Sequence, residues 1–285
     1  MPRTGIPHRH KALFVAIGAV ALVVIGAIAA MVVLLSGAYS TAATKQHFRI
    51  TYRLLELGLH FSVAESARDI VVPDLAQVAN LDIGHACYRD HCQQCHGAPG
   101  IAPDALGRGQ LPPPSNLSES ARAWPAERLY FVVKKGIRMS GMPAWEYRMS
   151  EDALWSTVAF LKALPFQTRD SYQHLAVATE DARCPEPDSA RPYSIEEAQM
   201  TLRQYACDTC HVIDDMVGAN THVGPPLAAF YKRKFIAGIL PNTPENLVRW
   251  IMEPQAVSPH TLMPDLDVTE PHARTMARYL LQTHD

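Results

Sequence analysis

The chain has 285 residues, with 26 lysines and arginines against 28 aspartates and glutamates, a formal net charge of −2 and six cysteines. That length exceeds one small domain and suits two of about 100 residues each plus extra segments. The near-balance of charge leaves no basic footprint for nucleic acid, and none is expected as a partner.

Residues 1–11 carry Arg3, Arg9 and Lys11, and no charged residue follows until Lys45. The apolar run at 12–36, "ALFVAIGAVALVVIGAIAAMVVLLS", is long enough to cross a hydrocarbon core of about 30 Å as a helix. The preceding positive charges place the N-terminus in the cytoplasm and the remainder outside. A cleavable signal peptide cut within "SGAYSTAAT" is the competing reading, but a signal core is shorter, so an uncleaved transmembrane anchor is expected. Residues 37–79 form a juxtamembrane helical segment. There Leu54, Leu57, Phe61 and Ala64 recur at helical spacing, which predicts an amphipathic helix leading away from the membrane and stopped by Pro73.

Residues 80–166 make one unit. A helix carries "HCQQCHGAPG", a Gly/Pro-rich stretch follows to "LPPPSNL", then "PAERLYFVVKKGI", and a last helix starts at Ser150, Glu151 and Asp152. Residues 167–192, ending in "ARCPEPDSARPY", are expected to be a linker. Residues 193–285 repeat the order of the first unit: "SIEEAQMTLRQYACDTCH" as a helix ending in a second motif, then "VGPPL", "TPENLVRWIMEP" and "MPDLDVTEPHARTMARYLLQ". Residues 80–166 hold nine basic and eight acidic residues, and residues 193–285 hold seven and eleven. That asymmetry hints at docking faces of different sign.

The two motifs are Cys92-x-x-Cys95-His96 and Cys207-x-x-Cys210-His211. Cys-x-x-Cys-His is the attachment signal of c-type haem: two thiols add across the haem vinyl groups and the adjoining imidazole takes the iron. A helical turn brings the first cysteine and the histidine, four apart, to one side. A thioredoxin-like redox pair wants a βαβ setting that this chain lacks. A zinc site wants a complete closed ligand set, and neither alternative accounts for a histidine in fifth place twice. The sixth iron position then calls for a thioether, with Met142 and Met263 as candidates because each precedes a proline that restrains its loop. Met139 is the fallback in the first unit, Met149 reads as packing, and core filling is the plainer role for any methionine. Each proximal histidine also needs its second ring nitrogen oriented, by a carbonyl of "PPPSNL" in the first unit and by Pro225 or its neighbour in the second.

Both units resemble class I cytochrome c domains, over about 80–166 and 193–285. The resemblance implies an all-α fold, an N-terminal transmembrane helix followed by two tandem cytochrome c domains. The first unit shares its Gly-Met-Pro-Ala-Trp loop with the haem subunits of cbb-type oxidases. The second, "GPPLAAFYKRKFIAGILPNTPENLVRWIMEPQAVSPHTLMPDL", resembles the haem c domain of caa-type oxidase subunit II, without a copper-binding portion before it and with "HTLMP" in place of the usual Lys-Pro-Gly before the methionine. The resemblance implies two covalently bound haem c groups, attached at Cys92 and Cys95 and at Cys207 and Cys210. Their irons would be held by His96 with Met142 and by His211 with Met263.

Of the residues left over, Cys87 reads as a buried thiol in preference to a disulfide with Cys184, and His85 and His91 as solvent-facing. Trp145 and Trp250 are expected to pack on haem or core, and Lys232–Lys234 to be a solvated turn. The expected function is single-electron transfer by a carrier, not an enzyme, held in the bacterial inner membrane with both domains in the periplasm. Its partners would be a quinol:cytochrome c oxidoreductase or dehydrogenase upstream and a terminal oxidase downstream, the chain being in one version an oxidase subunit. The alternative is a dihaem redox enzyme, peroxidase-like or sulfur-oxidising, with one open or unusually ligated iron.

Overall fold

The computed structural model describes residues 8–78, 80–187, 193–218 and 223–282. It is mostly helical, as expected. Two compact units divide it, Met1–Trp145 with Asp152–Cys184, and Glu146–Glu151 with Pro185–Asp285.

In the first unit α1 runs from His8 to Leu35. Its Leu13–Leu35 stretch is apolar and long enough to cross a membrane, and none of it is buried. Helix α2, Arg49–Ser66, packs against α8 (Ala126–Lys135), with His60 against the Trp124 ring at 5.2 Å. The periodicity of Leu54, Leu57 and Phe61 correctly marks a helix, but these side chains are exposed. Val63 and Ala67 are the residues that bury instead. The short α3 (Leu75–Val78) leads to α4 (Leu81–His91), whose start is capped by Asn80 accepting from the Asp82 and Ile83 N–H groups. Then come α5 (Gln93–His96), α6 (Ala105–Arg108), α7 (Leu117–Ala123), α8, and the buried α9 (Glu151–Ala163). Gly84 lets α4 and α9 cross closely: a Cβ there would overlap the Ser156 carbonyl oxygen and lie 2.8 Å from Phe160 Cβ.

The segment read as a linker holds helix α10, Arg169–Ala178, closed at its start by a capping box between Thr168 and Ser171. It belongs to the first unit. Arg89 on α4 donates to the Thr179 and Ala182 carbonyls at 2.9 and 2.8 Å, and a disulfide joins Cys87 to Cys184 with Cα atoms 4.5 Å apart. The expected buried thiol is therefore half of a cross-link. His85 differs too: it is fully buried, not solvent-facing, between the Phe160 and Tyr172 rings. Thr179 Oγ1 donates to the Leu175 carbonyl, so it accepts from His85 Nδ1 at 2.7 Å.

Burial first, and then the Arg89 charge, hold the His85 pKa below its usual 6.5. The unfolded chain thus binds more protons than the folded one between that depressed value and 6.5. Stability is full above pH 6.5 and falls as pH drops below it. Thermal melts of the first unit should show this acid-side loss, flattened in His85→Phe; an equal slope in the variant would assign it to other groups.

The second unit has α11 (Ile195–Gln204), α12 (Pro244–Met252), α13 (Pro254–Val257) and α14 (Glu270–Leu281). Helix α14 packs on both α11 and α12 around Leu202, Leu247, Ile251 and Met276. Trp250 packs on this core, as expected. A two-residue antiparallel ladder, β1 (Phe235–Ile236) with β2 (Leu240–Pro241), is a small departure from an all-α fold. Lys232–Lys234 is more than a solvated turn, because Arg233 lies over the Phe230 ring at 5.0 Å and donates to the Pro226 carbonyl.

Candidate haem-binding sites

The two motifs close the same turn. In the first, the His96 N–H donates to the Cys92 carbonyl at 2.9 Å and the Cys95 N–H at 3.1 Å. In the second, the His211 N–H donates to the Cys207 carbonyl at 2.9 Å and the Cys210 N–H at 3.3 Å. The scaffolds differ. Cys92 lies at the junction of α4 and α5. The second motif was expected to end a helix, but α11 stops at Gln204, Ala206 turns into the left-handed region (φ 55°), and Cys207–Thr209 is a 3₁₀ turn.

Both imidazoles are oriented alike. His96 Nδ1 donates to the Ser115 carbonyl at 2.8 Å, and His211 Nδ1 to the Pro225 carbonyl at 2.7 Å. These carbonyls lie in the two proline-rich loops from which they were expected. Since a carbonyl only accepts, each Nδ1 carries the proton and each Nε2 keeps a lone pair for a metal. Burial lowers the His96 pKa, and so favours the neutral, ligating form.

Close packing supports each turn. Tyr88 donates to the Gly97 carbonyl and Tyr172 to Gln93 Oε1, both at 2.6 Å, so α10 braces the first motif from within the segment read as a linker. Gly107 lies where a Cβ would stand 2.7 Å from Cys95 Cα, and Gln110 Nε2 reaches Cys95 Sγ at 3.7 Å. A Cβ on Gly141 would overlap the same Gln110 side chain, so Gln110 brings the methionine loop beside the first motif. At the second, Gly224 lies against the His211 ring, where a Cβ would be 2.7 Å from Nδ1 and closer still to Cε1. Arg233, through the Pro226 carbonyl, helps to fix the loop that orients His211; the sequence reading missed it.

Met142 and Met263 share a local device. The Met142 N–H donates to Ser140 Oγ at 3.1 Å, and the Met263 N–H to Thr261 Oγ1 at 3.2 Å. Their carbonyls accept from the Ile137 N–H at 3.1 Å and from Gln255 Nε2 at 2.7 Å. Each methionine thus sits in the pattern Ser/Thr-x-Met-Pro, a signal that was present in the sequence. Met139, the fallback, is 95% exposed, and Met149 is buried packing as expected.

Cys92, Cys95, Cys207 and Cys210 are unpaired thiols, unlike Cys87 and Cys184. Burial pushes Cys92 up to about 12 and Cys207 up to about 11, with Cys95 and Asp208 respectively adding to it. Among the described residues no group of three or more His, Cys, Asp and Glu is placed to hold a metal ion. The residues do fit haem c. Two thiols and a preset imidazole stand on one turn, and the buried Trp145 indole N–H, next to the Met142 loop, lacks a protein partner. The His91 ring lies tilted against that same Trp145 ring, with centroids 4.5 Å apart.

Residues 79–161 match the family model of cbb3-type cytochrome c oxidase subunit III. The chain is 32% identical over 85 residues to cytochrome c oxidase subunit 2 of Alkalihalophilus pseudofirmus, covering 30% of this chain and 24% of that protein. It is 34% identical over 80 residues to the subunit 2 of Bacillus sp. strain PS3, covering 27% and 22%. These matches support a c-type cytochrome. Such a domain implies covalently bound haem c. The chain spans about a quarter of the length of these relatives. A chain of the Kuenenia stuttgartiensis reducing HAO-like protein complex aligns at 22% identity with a TM-score of 0.28, over 74% of this chain and 98% of that one. A likeness at that score carries no argument.

Proposed function

We propose that the chain is a membrane-anchored dihaem cytochrome c that passes single electrons in a respiratory chain, with both haem domains in the periplasm. Haem c is bound through Cys92 and Cys95 and through Cys207 and Cys210. The irons are held by His96 with Met142 and by His211 with Met263. The observation that carries this reading is the repetition: both motifs close the same five-residue turn and donate Nδ1–H to a carbonyl of a proline-rich loop. Bound haem supplies one-electron chemistry, and a thioether in the sixth position keeps the iron closed to substrates. The anchor keeps the carrier close to its partners, a quinol-oxidising complex or dehydrogenase and a terminal oxidase, and raises their effective concentration. The oxidase subunits among its relatives favour an oxidase-associated carrier.

A dihaem enzyme would need an open or unusual iron ligand. Of the spare groups, Cys87 and Cys184 bind one another, and His85 is fully buried with its Nδ1 on Thr179. The test is haem stoichiometry. Alkaline pyridine spectra of the purified full chain should give two c-type haems per polypeptide, and Cys207→Ser with Cys210→Ser should leave one. A wild-type chain with a single haem sinks the proposal. The near-infrared methionine-to-iron band should be present for both haems, and carbon monoxide binding readily to one reduced haem would favour the enzyme.

A further inference from the structure

Helix α2 carries two apolar rows, and the haem domain covers only the C-terminal end of one of them. At 100° per residue, Ile50, Leu54, Leu57 and Phe61 fall in one row. Tyr52, Leu55, Leu59 and Val63 fall in another on nearly the opposite side. Arg49, Arg53, Glu56 and His60 separate the rows on one flank, and Thr51, Gly58, Ser62 and Glu65 on the other. The second row meets the first unit only at its C-terminal end, where Val63 is buried and α2 packs on α8; nearer the helix start Tyr52 is 52% and Leu55 60% exposed. The first row stays open among the described residues: Ile50 is 66% exposed, Leu54 61%, Leu57 54% and Phe61 69%. Four large apolar side chains in one line are more than the scattered exposed apolar residues of an ordinary surface.

We propose that this row lies in the headgroup–acyl boundary of the same bilayer that α1 crosses, so that α2 rests flat on the membrane with the first haem domain on its other side. The proposal rests on the anchor reading above. The connector at residues 36–48 is short, and it carries no charge before Lys45, so the chain leaves the apolar span without a segment that must stand in bulk water. Lys45, Arg49 and Arg53 then border the exposed row. Basic residues flanking an apolar face suit anionic headgroups, as in helices that lie in the membrane interface. Leu57 and Glu56, one position apart along the axis, would stand at different depths in a flat helix and at nearly the same depth in an upright one.

The full chain with haem suits single-site spin labelling, because haem attachment uses the four motif thiols and Cys87 is bonded to Cys184. Nitroxides would be placed by Leu57→Cys, Phe61→Cys, Glu56→Cys and, in the anchor, Val24→Cys. The protein would be held one copy per nanodisc of phosphatidylcholine and phosphatidylglycerol. At 57, 61 and 24, oxygen should reach the label better than a water-soluble nickel chelate does; at 56 that order should reverse. If 24 is deep while 56, 57 and 61 are all aqueous, the anchor stands and this proposal falls. An aqueous label at 24 overturns both. Shielding of 57 and 61 from both probes that arises only in discs loaded with two copies would name a second copy of the chain as the occupant, and overturn it too.

Discussion

Cys184→Ser is expected to destabilise the first unit by about 4–5 kcal/mol, the loop-entropy value for a closed segment of roughly 100 residues. Cys87 and Cys184 are 97 positions apart. Cys87 is buried in α4, one helical turn from the first haem motif, and Cys184 ends the stretch that follows α10. Opening the link removes the covalent hold on a helix that otherwise stays through Arg89 on two carbonyls, His85 on Thr179 and Tyr172 on Gln93. The last of these braces the first Cys-x-x-Cys-His motif itself, so on the proposed ligation the effect should reach the haem there as easier binding of an added ligand. Guanidinium unfolding should show a lower midpoint for the variant, and dithiothreitol should bring the wild type to the same value, with haem attached as proposed staying in place because thioethers are not reduced. An unchanged midpoint would mean that the cross-link adds nothing to the packing.

Gly224→Ala is expected to be the most damaging single methyl at the second site. The new Cβ would stand 2.7 Å from His211 Nδ1 and 3.0 Å from Nε2. The backbone cannot retreat freely, because the Gly224 N–H donates to the Cys210 carbonyl at 2.8 Å. The imidazole must therefore leave the Pro225 carbonyl. Loss of such an orienting bond weakens a metal–histidine bond by about 10–100-fold. On the proposed ligand set, added imidazole should capture the second haem at correspondingly lower concentration, with the first haem unchanged as an internal control. Equal capture in variant and wild type would show that the ring tolerates the methyl.

How much of this was legible beforehand depended on whether the signal was local. The two motifs, the orienting carbonyls in "PPPSNL" and "GPPL", the apolar span and the helical period around Leu54 are all readable within a few residues. The fate of 167–184 is not. Helix α10 buries Tyr172 alone among its residues, so no apolar period announces it, and the groups that Tyr172 meets on α4 and α5, His85, Tyr88 and Gln93, lie some eighty positions earlier. Its Thr168/Ser171 capping box was the available clue. The pairing of Cys87 with Cys184 and the burial of His85 follow from that same docking, and no spacing rule reaches them. The row of Leu54, Leu57 and Phe61 shows the complementary limit: periodicity finds a face and cannot say what covers it. At the second motif, the left-handed Ala206 ends the helix without a glycine to signal it.

The methionine loops have a consequence for speed. Each methionine is pinned on both sides of its own peptide, its N–H by the hydroxyl two residues earlier and its carbonyl by Ile137 or Gln255. A thioether carried on a frame that is hydrogen-bonded without help from the iron need not shift when the iron gains or loses charge. On the proposed ligation, electron exchange then carries a small reorganisation cost at both centres. The two differ in what sets that cost: backbone alone holds the first carbonyl, whereas a single side chain, Gln255, holds the second and leaves its rate open to tuning by one substitution.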